Sequence, residues 1–182
     1  SYEEPVDISL DQKNDTTKEI QAYVQSIAQM SLIGREQQKI YYDDRKQDYQ
    51  FQAQSGKAYP GISCGTVRTS DGNAADKDYR IIIVGGNLEV DTPENCNLPA
   101  NEYMILVSLY GDIRLQNRSA FRGIVFAPKG KVWLDCYAEA AGSFVGQQVW
   151  VSNNNSSVSQ TVQYQKLNPH FVTHKSSVQL IS

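Results

Sequence analysis

The sequence GIVFAPKGKVWLDCYAEAAGSFVGQQVWVS, residues 123–152, contains one short pattern twice. Each copy begins with a glycine and a three-residue apolar run, breaks at small residues and then alternates apolar with other residues. The second copy follows the first by about twenty residues, which predicts two short strands per copy. The equivalent alternating positions are Val132 and Leu134 in the first copy and Val149 and Val151 in the second.

Two fainter copies precede this stretch. MILVSLYGDIRLQ, at Met104–Gln116, and RIIIVGGNLEV, at Arg80–Val90, also place an apolar strand before a glycine turn and a second alternating strand. A repeat of about twenty residues with two strands per copy is typical of a β-solenoid, in which each copy is one rung and stacked rungs share a core. The sequence therefore predicts a mainly β fold, a small right-handed parallel β-solenoid (β-helix) of about four to five rungs.

An amphipathic helix is predicted before the repeats. Thr16 and Glu19 form a capping box, apolar residues then share one face as far as Ser31, and Gly34 is a suitable stop. Such a helix needs a partner, so we expect it to pack on the solenoid or cap one end. This divides the chain into residues 1–78, a helix-containing N-terminal segment, and residues 79–182, the solenoid domain with a C-terminal cap.

The order of these pieces resembles a known family. An apolar strand with a glycine turn occurs twice, then come Gly123–Pro128, a short strand at Val132–Leu134, Gly142–Gly146 and a final strand at Val149–Ser152. This order resembles the C-terminal β-solenoid domain of bacterial PilX-type pilus-assembly proteins and related cell-surface proteins, over about residues 79–165. The resemblance implies an extracytoplasmic, non-enzymatic role in a pilus or surface assembly, and it implies no catalytic residues.

A column of side chains on the outer face is the best candidate binding surface. If the alternating apolar residues point inward, then Trp133 and Trp150 point outward and stack, because side chains alternate along a strand. Arg114 and Glu89 occupy the same position in the preceding copies. The column is either exposed, as an aromatic contact surface for a partner or a sugar, or covered by the helix at Thr17–Ile33.

Charge and cysteine content limit the other classes of function. The net charge of −3 gives no basic field for nucleic acid or anionic lipid, and no apolar run is long enough to span a membrane. A membrane contact would therefore use an anchor outside this sequence. Cys136 is expected inside the solenoid, whereas Cys64 and Cys96 lie in loop-like contexts and either form a disulfide or remain two unpaired thiols.

No catalytic or metal site is predicted. His170 and His174 are four residues apart, but Pro169 and the β-branched residues around them favour a strand, on which the two side chains are too far apart for one metal ion. The acidic residues at Asp43–Asp44 and at Asp71, Asp76 and Asp78 are expected on a solvated surface. We therefore expect no enzyme activity and no cofactor.

The sequence thus favours an extracytoplasmic structural or assembly protein, a component or accessory of a bacterial pilus or cell-surface structure. Its partners would be protein subunits that contact a rigid solenoid surface. The alternative is a carbohydrate-binding surface module that uses Trp133 and Trp150. An enzyme acting on polysaccharide is the least favoured class, because the repeats do not supply two converging carboxylates.

Overall fold

A computed structural model describes residues 2–6, 15–46, 48–52, 58–70, 77–92, 103–117, 121–135, 139–153, 161–164, 170–175 and 179–181. The described chain is mainly β, with one α-helix, α1 (Asp15–Ser26), followed by a 3-10 turn at Ala28–Leu32. Thirteen strands form a single mixed sheet that curls nearly into a barrel. The strands are β1 (Tyr2–Val6), β2 (Gln38–Asp43), β3 (Asp48–Phe51), β4 (Gly61–Ser70), β5 (Lys77–Val84), β6 (Leu88–Thr92), β7 (Tyr103–Ser108), β8 (Ile113–Asn117), β9 (Phe121–Asp135), β10 (Glu139–Asn153), β11 (Thr161–Tyr164), β12 (His170–Lys175) and β13 (Gln179–Ile181).

The apolar run that opens each sequence copy forms one parallel arrangement, the first ladder. It consists of β5, β7, the first halves of β9 and β10, and β11. Ile82 pairs with Leu106, and Leu106 with Val125, so the copies lie in the register that the sequence pattern predicts. The described side chains of β5 and β7 and of the first half of β9 are buried on both faces, as expected from continuous runs of β-branched and aliphatic residues such as Ile81–Val84.

The alternating strand of each copy forms the second ladder, made of β2, β6, β8 and the second halves of β9 and β10. Its register confirms the predicted equivalences. Leu88 pairs with Ile113, Ile113 with Val132, and Val132 with Val149. These side chains are fully buried or nearly so, which confirms that the alternating apolar residues point inward.

Two cores explain why the sheet adopts this shape. The larger core lies between the ladders and contains inward residues of both, such as Leu106 and Leu115, together with Tyr42 and Tyr49 of the β2–β3 hairpin. The second core covers the outer face of the first ladder, where Ile20, Tyr23 and Ile27 pack against its isoleucines and valines. The amphipathic face of the helix therefore has its partner on the first ladder.

The predicted right-handed parallel β-solenoid is wrong. The sheet is mixed, because β1 pairs antiparallel with β10, β3 with β2, β4 with β5, and β12 and β13 with β4. A sequence repeat identifies equivalent strands in successive copies, and in this fold those equivalent strands pair in parallel. The repeat carries no information about strands that have no equivalent in another copy. The antiparallel strands come from segments without the repeat, and they turn a stack of rungs into a nearly barrel-shaped sheet.

An ion pair joins strand β3, at one end of the sheet, to strand β5 of the first ladder. Arg80, on β5, forms an ion pair with Asp48, on β3, and its guanidinium also donates to the Tyr49 carbonyl oxygen (3.5 Å). Since β3 follows the second ladder at the end of the strand order and β5 belongs to the first ladder, this contact spans the interior of the curled sheet.

The N-terminal helix is shorter than predicted and lies on a different face. The α-helix ends at Ser26 and a 3-10 turn continues to Leu32, so Gly34 is not its stop. Of the two alternatives for Trp133 and Trp150, the structure does not show cover by the helix, because the buried face of the helix belongs to the core on the first ladder. Strands from residues 1–78 and from residues 79–182 join the same sheet, and the division at residue 78 stays a prediction.

Within the described part of the chain, no helix has the length and apolar character needed to span a membrane.

Candidate functional site

The predicted column of outer side chains exists as a register feature of the second ladder. Glu89 pairs with Arg114, Arg114 with Trp133, and Trp133 with Trp150, on four successive strands. We call these four residues the Trp column. Paired residues of neighbouring strands share a face, so the four side chains emerge on the outer face of the second ladder. Each is partly exposed, which leaves the column accessible on the surface.

Cations pack on the two tryptophans. The guanidinium carbon of Arg114 lies 4.5 Å from the Trp133 ring centroid, and the Lys131 ammonium lies 4.5 Å from the same ring and 5.3 Å from the Trp150 ring. A cation over an aromatic face is attracted by the ring quadrupole, by about 0.5–1 kcal/mol at an exposed site. The rings and cations therefore hold one another in place along the column.

Hydrogen bonds fix the orientation of both indoles and of Arg114. The Trp133 indole N–H donates to Ser152 Oγ (2.8 Å), and the Trp150 indole N–H donates to Gln148 Oε1 (3.0 Å). Arg114 donates to Asp135 Oδ2 (2.8 Å), and the Asp135 side chain is only 2% exposed. Because both indole N–H groups and one guanidinium nitrogen of Arg114 are held by neighbouring side chains, these three side chains are oriented before any ligand arrives.

A groove of about 200 Å³ runs beside the column. Its walls carry polar groups of both signs together with one aromatic ring: Asn87, Glu89, Asp112, Arg114, Lys131 and Trp133. Two of these side chains also link successive turns that precede the strands of the second ladder. Asn87 Oδ1 accepts a hydrogen bond from the Asp112 backbone N–H (2.9 Å), and Asp112 Oδ1 accepts one from the Lys131 backbone N–H (2.7 Å). The mixed lining suits hydrogen bonding to a polar ligand more than burial of an apolar one.

Sequence reasoning missed three contributors to this surface. Lys131 lies between the two tryptophans, Asp135 pairs with Arg114, and Lys39 extends the column by one strand opposite Glu89. The signal for the first two was available, because Lys131 and Asp135 have the same strand parity as Trp133. Lys39 had no such signal, since β2 lies outside the repeat.

The other predicted sites have these outcomes. Cys64 lies on β4, but Cys96 is outside the described residues, so the disulfide remains a prediction, and Cys136 is also outside them. His170 and His174 lie on strand β12, as expected. Asp43 ends β2 and Asp44 begins the turn to β3, Asp78 lies on β5, and Asp71 and Asp76 are outside the described residues. Among the described residues, no three His, Cys, Asp or Glu side chains are grouped so that they could hold a metal ion.

No family model, no curated protein and no solved structure matches this chain. The resemblance to PilX-type proteins therefore stays a prediction that depends on the residues quoted for it.

Proposed function

We propose that this protein is a non-enzymatic, extracytoplasmic structural or assembly protein, a component or accessory of a bacterial pilus or other cell-surface structure. The outer face of its second ladder contacts a partner subunit through the Trp column. One observation carries this proposal: the helix covers the outer face of the first ladder, whereas the Trp column stays partly exposed on the other outer face.

The composition of the column suits a contact with protein. Tryptophan and arginine are the residues most enriched at the energetic centres of protein interfaces. Here both are held by neighbours before binding, so little side-chain entropy is lost when a partner docks. A sheet strengthened by pairing on both sides gives this surface a rigid support.

Carbohydrate binding is the second candidate, and the groove beside Trp133 favours it. Sugar sites combine an aromatic ring with planar polar side chains, and the groove offers both. The cations count against stacking, however, because Arg114 and Lys131 already lie over the Trp133 ring that a sugar would cover. A subunit contact requires no free ring face, so it is the first candidate.

Site-specific crosslinking on intact cells tests the proposal. A photoreactive amino acid replaces Trp150 in one variant and Lys46, an exposed residue in the β2–β3 turn, in the control. We expect the label at position 150 to crosslink to another subunit in filaments sheared from the cells, and the label at position 46 to give no such product. Protein found only in the cytosol, or equal crosslinking from both positions, would contradict the proposal.

Tryptophan fluorescence separates the two candidates in solution. The chain has only two tryptophans and both belong to the column, so its intrinsic emission reports on this surface alone. Soluble glycans that shift the emission or protect it from a quencher would favour the carbohydrate module. An emission that responds to the crosslinked partner and not to glycans would favour the subunit contact.

A further inference from the structure

The charges around the Trp column divide between the two halves of the outer face of the second ladder. Glu89 and Asp112 lie on β6 and β8, whereas Lys131 lies on β9 and packs between the rings of β9 and β10. Arg114, on β8, is the one cation of the first half, and Asp135 compensates its charge at 2.8 Å. One half of this face is therefore acidic, and the other half is basic and aromatic.

The charged groups at the two sides of this face have no ion-pair partner among the described side chains. Lys39 and Arg114 are the register neighbours of Glu89, yet neither forms an ion pair with it. The Lys131 ammonium lies against two rings, and Asp112 accepts a hydrogen bond from the Lys131 backbone N–H, not from its ammonium. A carboxylate on one half and an ammonium on the other thus remain available to another molecule.

This arrangement is complementary to itself. If two copies are placed face to face, a two-fold axis that runs parallel to the strands between β8 and β9 puts β6 of one copy opposite β10 of the other. Paired strands lie about 4.8 Å apart, so Glu89 then faces Trp150 of the other copy, and Arg114 faces its Trp133. Because the Lys131 ammonium lies beside the Trp150 ring, it meets the Glu89 carboxylate of the other copy.

We propose that the outer face of the second ladder binds a second copy of this chain and forms a symmetric dimer. An acidic segment would meet Glu89 and Asp112, and a basic segment would meet Lys131. An uncharged one would cover these groups without pairing them, which costs free energy. A second copy presents the opposite charge at both sides. The inference rests on the proposed function for the use of this face as a subunit contact, and it names the subunit.

Exchange of charges between two variants tests the dimer, with mass measured by sedimentation equilibrium over about a hundredfold range of concentration. We expect the unchanged chain to dimerise. Glu89→Lys and Lys131→Glu should each weaken dimerisation at least about tenfold, because like charges then meet twice in every dimer. An equal mixture of the two variants should restore it, since both contacts of the mixed dimer join opposite charges.

Lys46→Glu is the matched control, because it makes the same reversal of charge in the exposed β2–β3 turn. It should leave dimerisation within about twofold and should not restore it when mixed with Glu89→Lys. Circular dichroism verifies the fold of each variant. If a reversal unfolds the chain, Glu89→Gln and Lys131→Gln replace the reversals, and each should weaken the dimer about threefold.

The outcomes separate this inference from the proposed function. A chain that stays monomeric, or a mixture that restores nothing, overturns the inference. A crosslink from position 150 to a different protein in sheared filaments would then still support the proposed function. Restored dimers of a protein that is absent from sheared filaments would support the inference and contradict the proposed function.

Discussion

At the scale of single residues, two glycines set how closely the strands of the first ladder approach. Gly123 and Gly142 are paired on neighbouring strands and have φ angles of +142° and +151°, which favour glycine. A methyl carbon at Gly123 would lie 1.9 Å from the Met104 carbonyl oxygen, and one at Gly142 would lie 1.8 Å from the Gly123 carbonyl oxygen. The glycine that opens each of the two clear sequence copies is therefore required by space as well as by backbone angle.

Gly123→Ala should lower the free energy of unfolding by about 3 kcal/mol, because it adds backbone strain and a clash with a neighbouring strand. Gly146→Ala is the matched control. Its φ is not in the left-handed region and its nearest neighbouring atom would be 3.1 Å away, so we expect a loss of about 1 kcal/mol or less. Urea denaturation followed by circular dichroism measures both, and equal losses would contradict the steric argument.

The ion pair of Arg114 with buried Asp135 should matter more than the packing of Lys131 on the same ring. Arg114→Met removes the pair and should cost about 2 kcal/mol, a figure already reduced because Arg114 is 35% exposed. Lys131→Met removes only cation–aromatic contacts and should cost about 0.5–1 kcal/mol. The same urea titrations measure both losses in the free energy of unfolding. A larger loss for Lys131→Met would contradict the prediction, because the contacts with the rings would then stabilise the protein more than the ion pair with Asp135.

At the scale of elements, the helix shows what the sequence could and could not provide. Its existence and its apolar stripe follow from the spacing of Ile20, Tyr23 and Ile27, all of which are buried. Its place on the sheet does not follow from that stripe alone. The deciding signal was in Ile81–Val84, a continuous apolar run whose strand had to be covered on both faces, whereas the strand with Trp133 alternates.

Ile20→Ala should destabilise the protein by about 3 kcal/mol, since it removes a fully buried side chain between the helix and the first ladder. Gln25→Ala, on the exposed face of the same helix, should be nearly neutral. In the folded Ile20→Ala protein the tryptophan emission should stay unchanged, because the helix does not cover the Trp column. A shift of the emission to longer wavelength would contradict this prediction, because it would mean that the helix covers the Trp column.

At the scale of the whole molecule, the repeat predicted the registers but not the architecture. Pairings such as Leu88 with Ile113 and Trp133 with Trp150 follow from equivalent positions in the copies. The antiparallel strands have no copy in the sequence, and the ion pair of Arg80 with Asp48 joins segments that no periodicity relates. The barrel-like shape depends on antiparallel pairings between segments without the repeat, so local periodicity does not show it.

Hydrogen exchange should reveal which part of the sheet is most stable. Strands β5, β7 and β9 are paired on both sides and lie between two cores, so their amides should exchange slowest. The amides of β3, which is paired only with β2 among the described strands, should exchange about a hundredfold faster. Mass spectrometry of peptides after timed exchange measures this, and uniform protection across these strands would contradict it.

The parallel register of the two ladders also decides how the chain reaches its native state. From β5 onward each ladder strand pairs with one about twenty residues later, so about twenty residues must be ordered before a single ladder pairing is complete, and β2 pairs with β6 across a longer separation still. The hairpin of β2 and β3 closes a much shorter loop, so it loses less conformational entropy and can form early. Refolding should then be limited by these long closures and take milliseconds to seconds, during which half-assembled ladders offer open strand edges to other nascent chains.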